Sequence, residues 1–121
     1  MKSDIFRRLR APLFWLAIVA VYIAAIMPAS EAPTLGFADK TDHLVAFFTL
    51  TILGRLAYQR LPRLLLVGGL LTLGIIIEIS QAVPSVGRDA SVLDVAWDCA
   101  GIIVGLLAAG HLYRRHPVLF Q

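Results

Sequence analysis

From Pro12 through Met27 the chain carries no charged residue, and three more apolar runs follow, at about 43–58, 64–83 and 92–112. Such runs are either core elements or bilayer spans, and length and composition decide between the two. The chain has 121 residues, 59% of them hydrophobic and only 16% charged, with a mean hydropathy of +0.80. A soluble domain carries about 25% charged residues. A single soluble core of this length cannot hide so much apolar surface, so the bilayer is the expected solvent.

A spanning helix needs about 20 residues. The first run is at the short end and the fourth fits. The second is short and counts only if Arg55 reaches the interface along its aliphatic stem. The third fits only if Glu78 and Gln81 lie inside the membrane or at its border. The expected fold is all-α: a four-helix transmembrane bundle forming one domain over 1–121, with helices at about 11–28, 43–59, 63–83 and 92–113. Lys2, Arg7, Arg8 and Arg10 precede the first run as in a signal peptide. That run exceeds a usual signal core, however, and Met27-Pro28-Ala29-Ser30 makes a poor cleavage site, so an uncleaved helix is expected. Lys and Arg cluster in the N-terminal tail, around Arg60 and Arg63, and at Arg114 and Arg115. By the positive-inside rule both termini are expected in the cytoplasm, with the other two loops outside.

The remaining polar groups gather at the opposite ends of the runs. His43 opens the second helix, Glu78 and Gln81 close the third, and Asp94 and Asp98 open the fourth. Asp39, Lys40, Asp42 and Arg88 lie in the two outer loops. Asp94, Asp98, Gly101 and Gly105 follow a 4-3-4 spacing and share one helical face. Gly101 and Gly105, extended by Ala109, form a small-residue stripe that lets a neighbouring helix approach closely. Gly74, Glu78 and Gln81 share a face of the third helix, and His43, Phe47, Leu50 and Gly54 share one of the second. The simplest packing turns all three faces inward.

Plainer roles compete for some of these residues. Ser91-Val-Leu-Asp94 is a capping-box pattern, which makes Asp94 a candidate helix cap as well as a site residue. Asp39 is a candidate cap, and Arg88 can serve as an ordinary loop arginine. His111 and His116 fit a helix C-terminus and carry no assigned chemistry. Glu78 and Asp98 resist such readings. Glu78 follows three isoleucines near a helix C-terminus, where a carboxylate opposes the macrodipole. Asp98 lies a full turn past Asp94, too deep to cap. An acidic side chain at mid-membrane costs about 2.5–3.5 kcal/mol, so both need partners: a structural salt bridge, or a functional site.

Asp39-Lys40-Thr-Asp-His43-Leu-Val-Ala-Phe47 resembles the Asp-Lys-x-x-His-x-x-x-Phe signature of VanZ-like membrane proteins. Glu78-x-x-Gln81-x-x-Pro84, followed by Arg88, Asp94, Asp98, Gly101 and Gly105, resembles that family's second signature. The similarity covers about 11–109 and departs at Asp98, where the family usually has Asn, and in a longer Pro84–Arg88 linker. It implies an envelope-related membrane protein with a link to tolerance of teicoplanin-type glycopeptides.

Three functions fit these residues. In an enzyme acting on a lipid or lipid-linked envelope precursor, His43 or Glu78 would be the general base and Asp94 the residue orienting His43 or Arg88. Asp39, Lys40, Gln81, Arg88 and Asp98 would bind substrate, with Arg88 and Lys40 on a phosphate. In a lipid-binding protein the same pocket would hold an anionic headgroup without breaking a bond. In an accessory subunit the polar cluster would serve helix packing. His43, Glu78 and Asp94 or Asp98 could supply mixed N/O ligands, but with one candidate imidazole no metal or other cofactor is expected. The single Cys99 excludes an intramolecular disulfide and any Cys-rich metal site. The basic residues sit between apolar runs as topology signals, so nucleic acid is not an expected partner. The expected location is the inner (cytoplasmic) membrane, multi-pass, with the oligomeric state open.

Overall fold

A computed structural model of the chain describes residues 2–28, 30–31 and 39–121. Four α-helices account for most of it: α1 (Lys2–Ile26), α2 (Asp39–Ala57), α3 (Arg63–Gln81) and α4 (Val92–Arg115). Short 3-10 turns follow α3 at Pro84–Val86 and α4 at Pro117–Phe120. Local chemistry sets the ends that matter for the site. α3 stops ahead of Pro84, whose ring holds Val83 in an extended conformation. Gly87 then takes a left-handed conformation (φ 68°) that turns the chain back towards α4. Ser91 caps α4 by accepting from the Leu93 N–H, Asp94 sits in its first turn, and Arg114 and Arg115 lie in its last, so both ends suit the helix dipole.

α2 is the central helix. It packs most extensively on α4 and also contacts α1 and α3. The α2–α4 approach depends on two glycines. A methyl group at Gly101 would press on the Leu44 carbonyl oxygen, and one at Gly105 would lie 3.0 Å from the Phe48 carbonyl oxygen. Helix association in lipid draws little from apolar burial, because lipid tails are as apolar as leucine. Close backbone contact and buried polar pairs must supply the attraction. The apolar core is formed by Phe14, Phe47, Leu50, Leu66, Leu70, Ile77 and Ile102. Leu13, Leu16, Val19 and Ile23 of α1 are exposed, as are Leu64, Ile75 and Ile79 of α3 and Ile103 and Leu107 of α4, an outer surface suited to lipid.

The expected four-span bundle with both termini cytoplasmic is corrected here. Among the described residues three helices are long and apolar enough to cross a membrane: Asp4–Ile26, Arg63–Gln81 and Val92–Arg115. α2 does not qualify. Its 19 residues carry Asp39, Lys40 and Asp42 at one end and Arg55 near the other. The physical reason lies in its surroundings. Among the described residues α2 exposes no large apolar side chain, because its neighbours are helices rather than lipid. A helix enclosed in this way can retain charges that a lipid-facing span would exclude.

The basic clusters meet at one end of the bundle. There Arg10 Nη1 donates to the Leu119 carbonyl (3.0 Å), Trp15 Nε1 to the Tyr58 hydroxyl (2.7 Å), and Arg55 Nη1 to the Leu61 carbonyl (3.0 Å). Glu78, Asp94 and Asp98 collect at the other end, with His43.

Candidate functional site

At the acidic end three helices converge on His43. Nδ1 of His43, from the first turns of α2, lies 2.8 Å from Oδ1 of Asp98 on α4. Nε2 of the same ring lies 4.0 Å from Oδ2 of Asp94, one turn nearer the start of α4. Glu78 enters from α3. One ring nitrogen of His43 and one carboxylate oxygen each from Glu78 and Asp94 lie within 4.8 Å of one another, a grouping able to hold a metal ion. Burial is deep: His43 is 9% exposed, Asp94 4% and Asp98 0%. The Asp98 carboxylate can only accept from Nδ1–H, and in the neutral ring that hydrogen bond leaves the acceptor lone pair on Nε2, facing Asp94.

Glu78 is anchored by one oxygen. Oε2 accepts the backbone N–H of Ser91 at 2.8 Å. Oε1 is buried and, among the described residues, without a hydrogen-bond partner. The same holds for Oδ2 of Asp98 and Oε1 of Gln81. Native structures leave few buried polar atoms unsatisfied, and three at one end of a small bundle mark the place where a ligand, ion or water belongs. Gly74 makes room for this arrangement, since a methyl group there would lie 2.8 Å from Asp98 Oδ2.

The other residues singled out in the sequence are placed as follows. Gln81, 2% exposed, donates through Nε2 to the Ala25 carbonyl of α1 at 3.0 Å. Arg88 Nη1 donates to the Met27 carbonyl at 3.3 Å. Lys40 is exposed in the first turn of α2. Asp39 begins α2, and its side chain lies outside the described residues. The sequence reading overlooked the end of α1. Its last carbonyls have no partner within the helix, and that orphan group was the available signal for the partners of Gln81 and Arg88. It also overlooked the Ser91 N–H as the donor to Glu78.

An apolar cavity of about 510 Å³ opens between α1 and α3, lined among others by Phe14, Ile18, Gly69, Leu70, Leu73 and Ile76. Trp15, Tyr58 and Leu61 also line it, so it lies towards the basic end of the bundle and extends along α3 as far as Ile76.

Fold and site together define a multi-span, apolar helical membrane protein with a buried polar cluster capable of coordinating a metal. No protein-family model, curated protein or solved structure matches the chain, so the likeness to VanZ-like proteins rests on the motif residues alone.

Proposed function

We propose that this protein binds or processes an anionic lipid, or a lipid-linked cell-envelope precursor, at the polar end of its bundle, facing outward from the inner (cytoplasmic) membrane. The observation that carries this reading is the convergence of His43, Glu78, Asp94 and Asp98 from three helices, with buried acceptors left over. Intramembrane ionisable groups are costly and default to function. Arg88, three residues before the Ser91 that anchors Glu78, suits a phosphate through its planar fork. The apolar cavity between α1 and α3 suits an acyl chain. The resemblance to VanZ-like proteins adds the envelope setting and the link to glycopeptide tolerance.

In a catalytic version that holds no cation, His43 is the general base and Asp98 fixes its tautomer. Whether a bond is broken is decided by incubating the purified chain with radiolabelled lipid-linked precursor and following product. Binding is tested with nanodiscs of anionic or zwitterionic lipid. The expected result is a preference for anionic lipid that Arg88→Ala reduces about tenfold, as loss of a charge-assisted hydrogen bond does. Equal affinity for both lipids would refute the headgroup reading.

The alternative reading is an accessory subunit whose cluster serves helix packing. The His43–Asp98 contact, set between α2 and α4 where they pack most extensively, favours it. Loss of a cellular phenotype in Glu78→Gln, with expression and melting behaviour unchanged, removes this alternative.

A further inference from the structure

We infer that His43, Glu78 and Asp94 form a divalent-cation site, with Asp98 as the outer residue that holds the imidazole in place. The first support is geometric. The three side chains come from three separate helices, and their candidate ligand atoms lie within 4.8 Å of one another. Metal–ligand bonds of about 2.0–2.2 Å place ligand atoms about 3.4 Å apart in a tetrahedron and about 4.2 Å apart across an octahedron. His43 Nε2 and Asp94 Oδ2, at 4.0 Å, already lie in that range. Glu78 closes the remainder by a small turn of its long side chain.

The second support is independent of spacing. Asp98 is wholly buried, bonds Nδ1 of His43 through one oxygen, and keeps its other oxygen without a partner among the described residues. A carboxylate on the far nitrogen of a histidine is the usual outer partner of a metal-bound imidazole. It fixes the tautomer so that the other nitrogen presents its lone pair, and it raises ligand basicity. The Glu78 carboxylate shows the same division. Oε2 is held by the Ser91 N–H and Oε1 is buried with no partner among the described residues. Electrostatics agrees. Three carboxylates crowd one imidazole here, a concentration of negative charge that a divalent cation neutralises. A nitrogen ligand disfavours Mg²⁺ and Ca²⁺, which take oxygen, and two carboxylates suit Zn²⁺ or Mn²⁺.

This inference rests on the cluster alone and stands whether or not a headgroup is its ligand, so the test uses the metal without lipid substrate. The full chain in detergent micelles is stripped with chelator, then titrated with ZnCl₂ or MnCl₂ and followed by calorimetry and elemental analysis. The expected result is one equivalent per chain, with MgCl₂ at the same concentration failing to compete. Glu78→Gln and Asp94→Asn each weaken uptake at least tenfold, with helicity and elution unchanged. The double variant His111→Ala/His116→Ala, at the other end of α4, leaves uptake intact. Absence of saturable uptake, or uptake indifferent to both carboxylate variants, overturns the site. Should the variants fail to fold, Mn²⁺ in the wild-type chain still decides the matter by pulsed electron paramagnetic resonance. Nitrogen coupling from one imidazole supports the site, and its absence overturns it.

Discussion

His43 Nδ1 and Asp98 Oδ1 meet at 2.8 Å between α2 and α4, with Asp98 wholly buried. The pair joins the central helix to the small-residue face of α4, next to the Gly101 contact. Its removal should therefore be felt in stability. Asp98→Ala leaves the buried Nδ1 without its acceptor and should cost about 1–3 kcal/mol. Asp98→Asn keeps an acceptor oxygen and removes a buried charge, so its cost should be well under that range. Denaturant melts of the two variants in mixed micelles check the order. Equal loss in both would show that charge, rather than the hydrogen bond, is what the pair supplies.

The glycine contact below makes a sharper contrast. Gly101→Ala drives a methyl group into the Leu44 carbonyl and to 3.1 Å from the Phe48 nitrogen, both rigid backbone atoms. Overpacking of this kind costs about 1–3 kcal/mol. Gly110→Ala meets nothing within 4 Å and should gain up to about 1 kcal/mol from helix propensity. The same melts distinguish them. Opposite signs from two identical substitutions on one helix are the expected outcome.

Much of this packing was legible in the sequence, because a helix face is a matter of spacing. His43, Phe47, Leu50 and Gly54 are all buried, and so are Asp94, Asp98, Gly101, Gly105 and Ala109. What spacing cannot report is what lies on the far side of a face. The run at 43–58 reads as a short span when taken alone, yet α2 is surrounded by helices and carries charges at both ends. The start of α4 shows a related limit. Ser91 does cap α4, but through Leu93, and its own N–H goes to Glu78, thirteen positions away, rather than to Asp94. The tertiary partner of Ser91 is legible only in the fold, as is the 4.0 Å approach of Asp94 to His43. The carbonyls of Ala25 and Met27, at and just past the end of α1, show the same limit: a helix end marks carbonyls in need of a donor, but no spacing names Gln81 and Arg88 as the donors.

Glu78 should separate function from stability. Its hydrogen-bond donor among the described residues, the N–H of Ser91, belongs to an exposed residue that water can solvate when the carboxylate is gone. Glu78→Ala should thus cost less than about 1 kcal/mol, the net worth of an ordinary hydrogen bond. Ligand or metal uptake should nevertheless fall at least tenfold. Paired melting and binding measurements on one preparation check this. A large stability loss with binding retained would assign Glu78 to the scaffold instead.

The cavity between α1 and α3 gives a test that leaves the polar cluster untouched. Gly69 lines it, and a side-chain atom added there meets nothing within 4 Å. Gly69→Leu should therefore fold normally, and the loss of a helical glycine should even favour α3 by about 0.8–1 kcal/mol. Its isobutyl group would occupy the space that an acyl chain would take beside Leu70 and Leu73. Native mass spectrometry of the chain released gently from membranes should show fewer retained lipids in Gly69→Leu than in the wild type, with metal uptake at His43, Glu78 and Asp94 unchanged. If the retained lipid is the same in both, the cavity is filled by packing adjustments alone. The headgroup site must then draw its ligand from the surrounding bilayer, without a dedicated acyl groove.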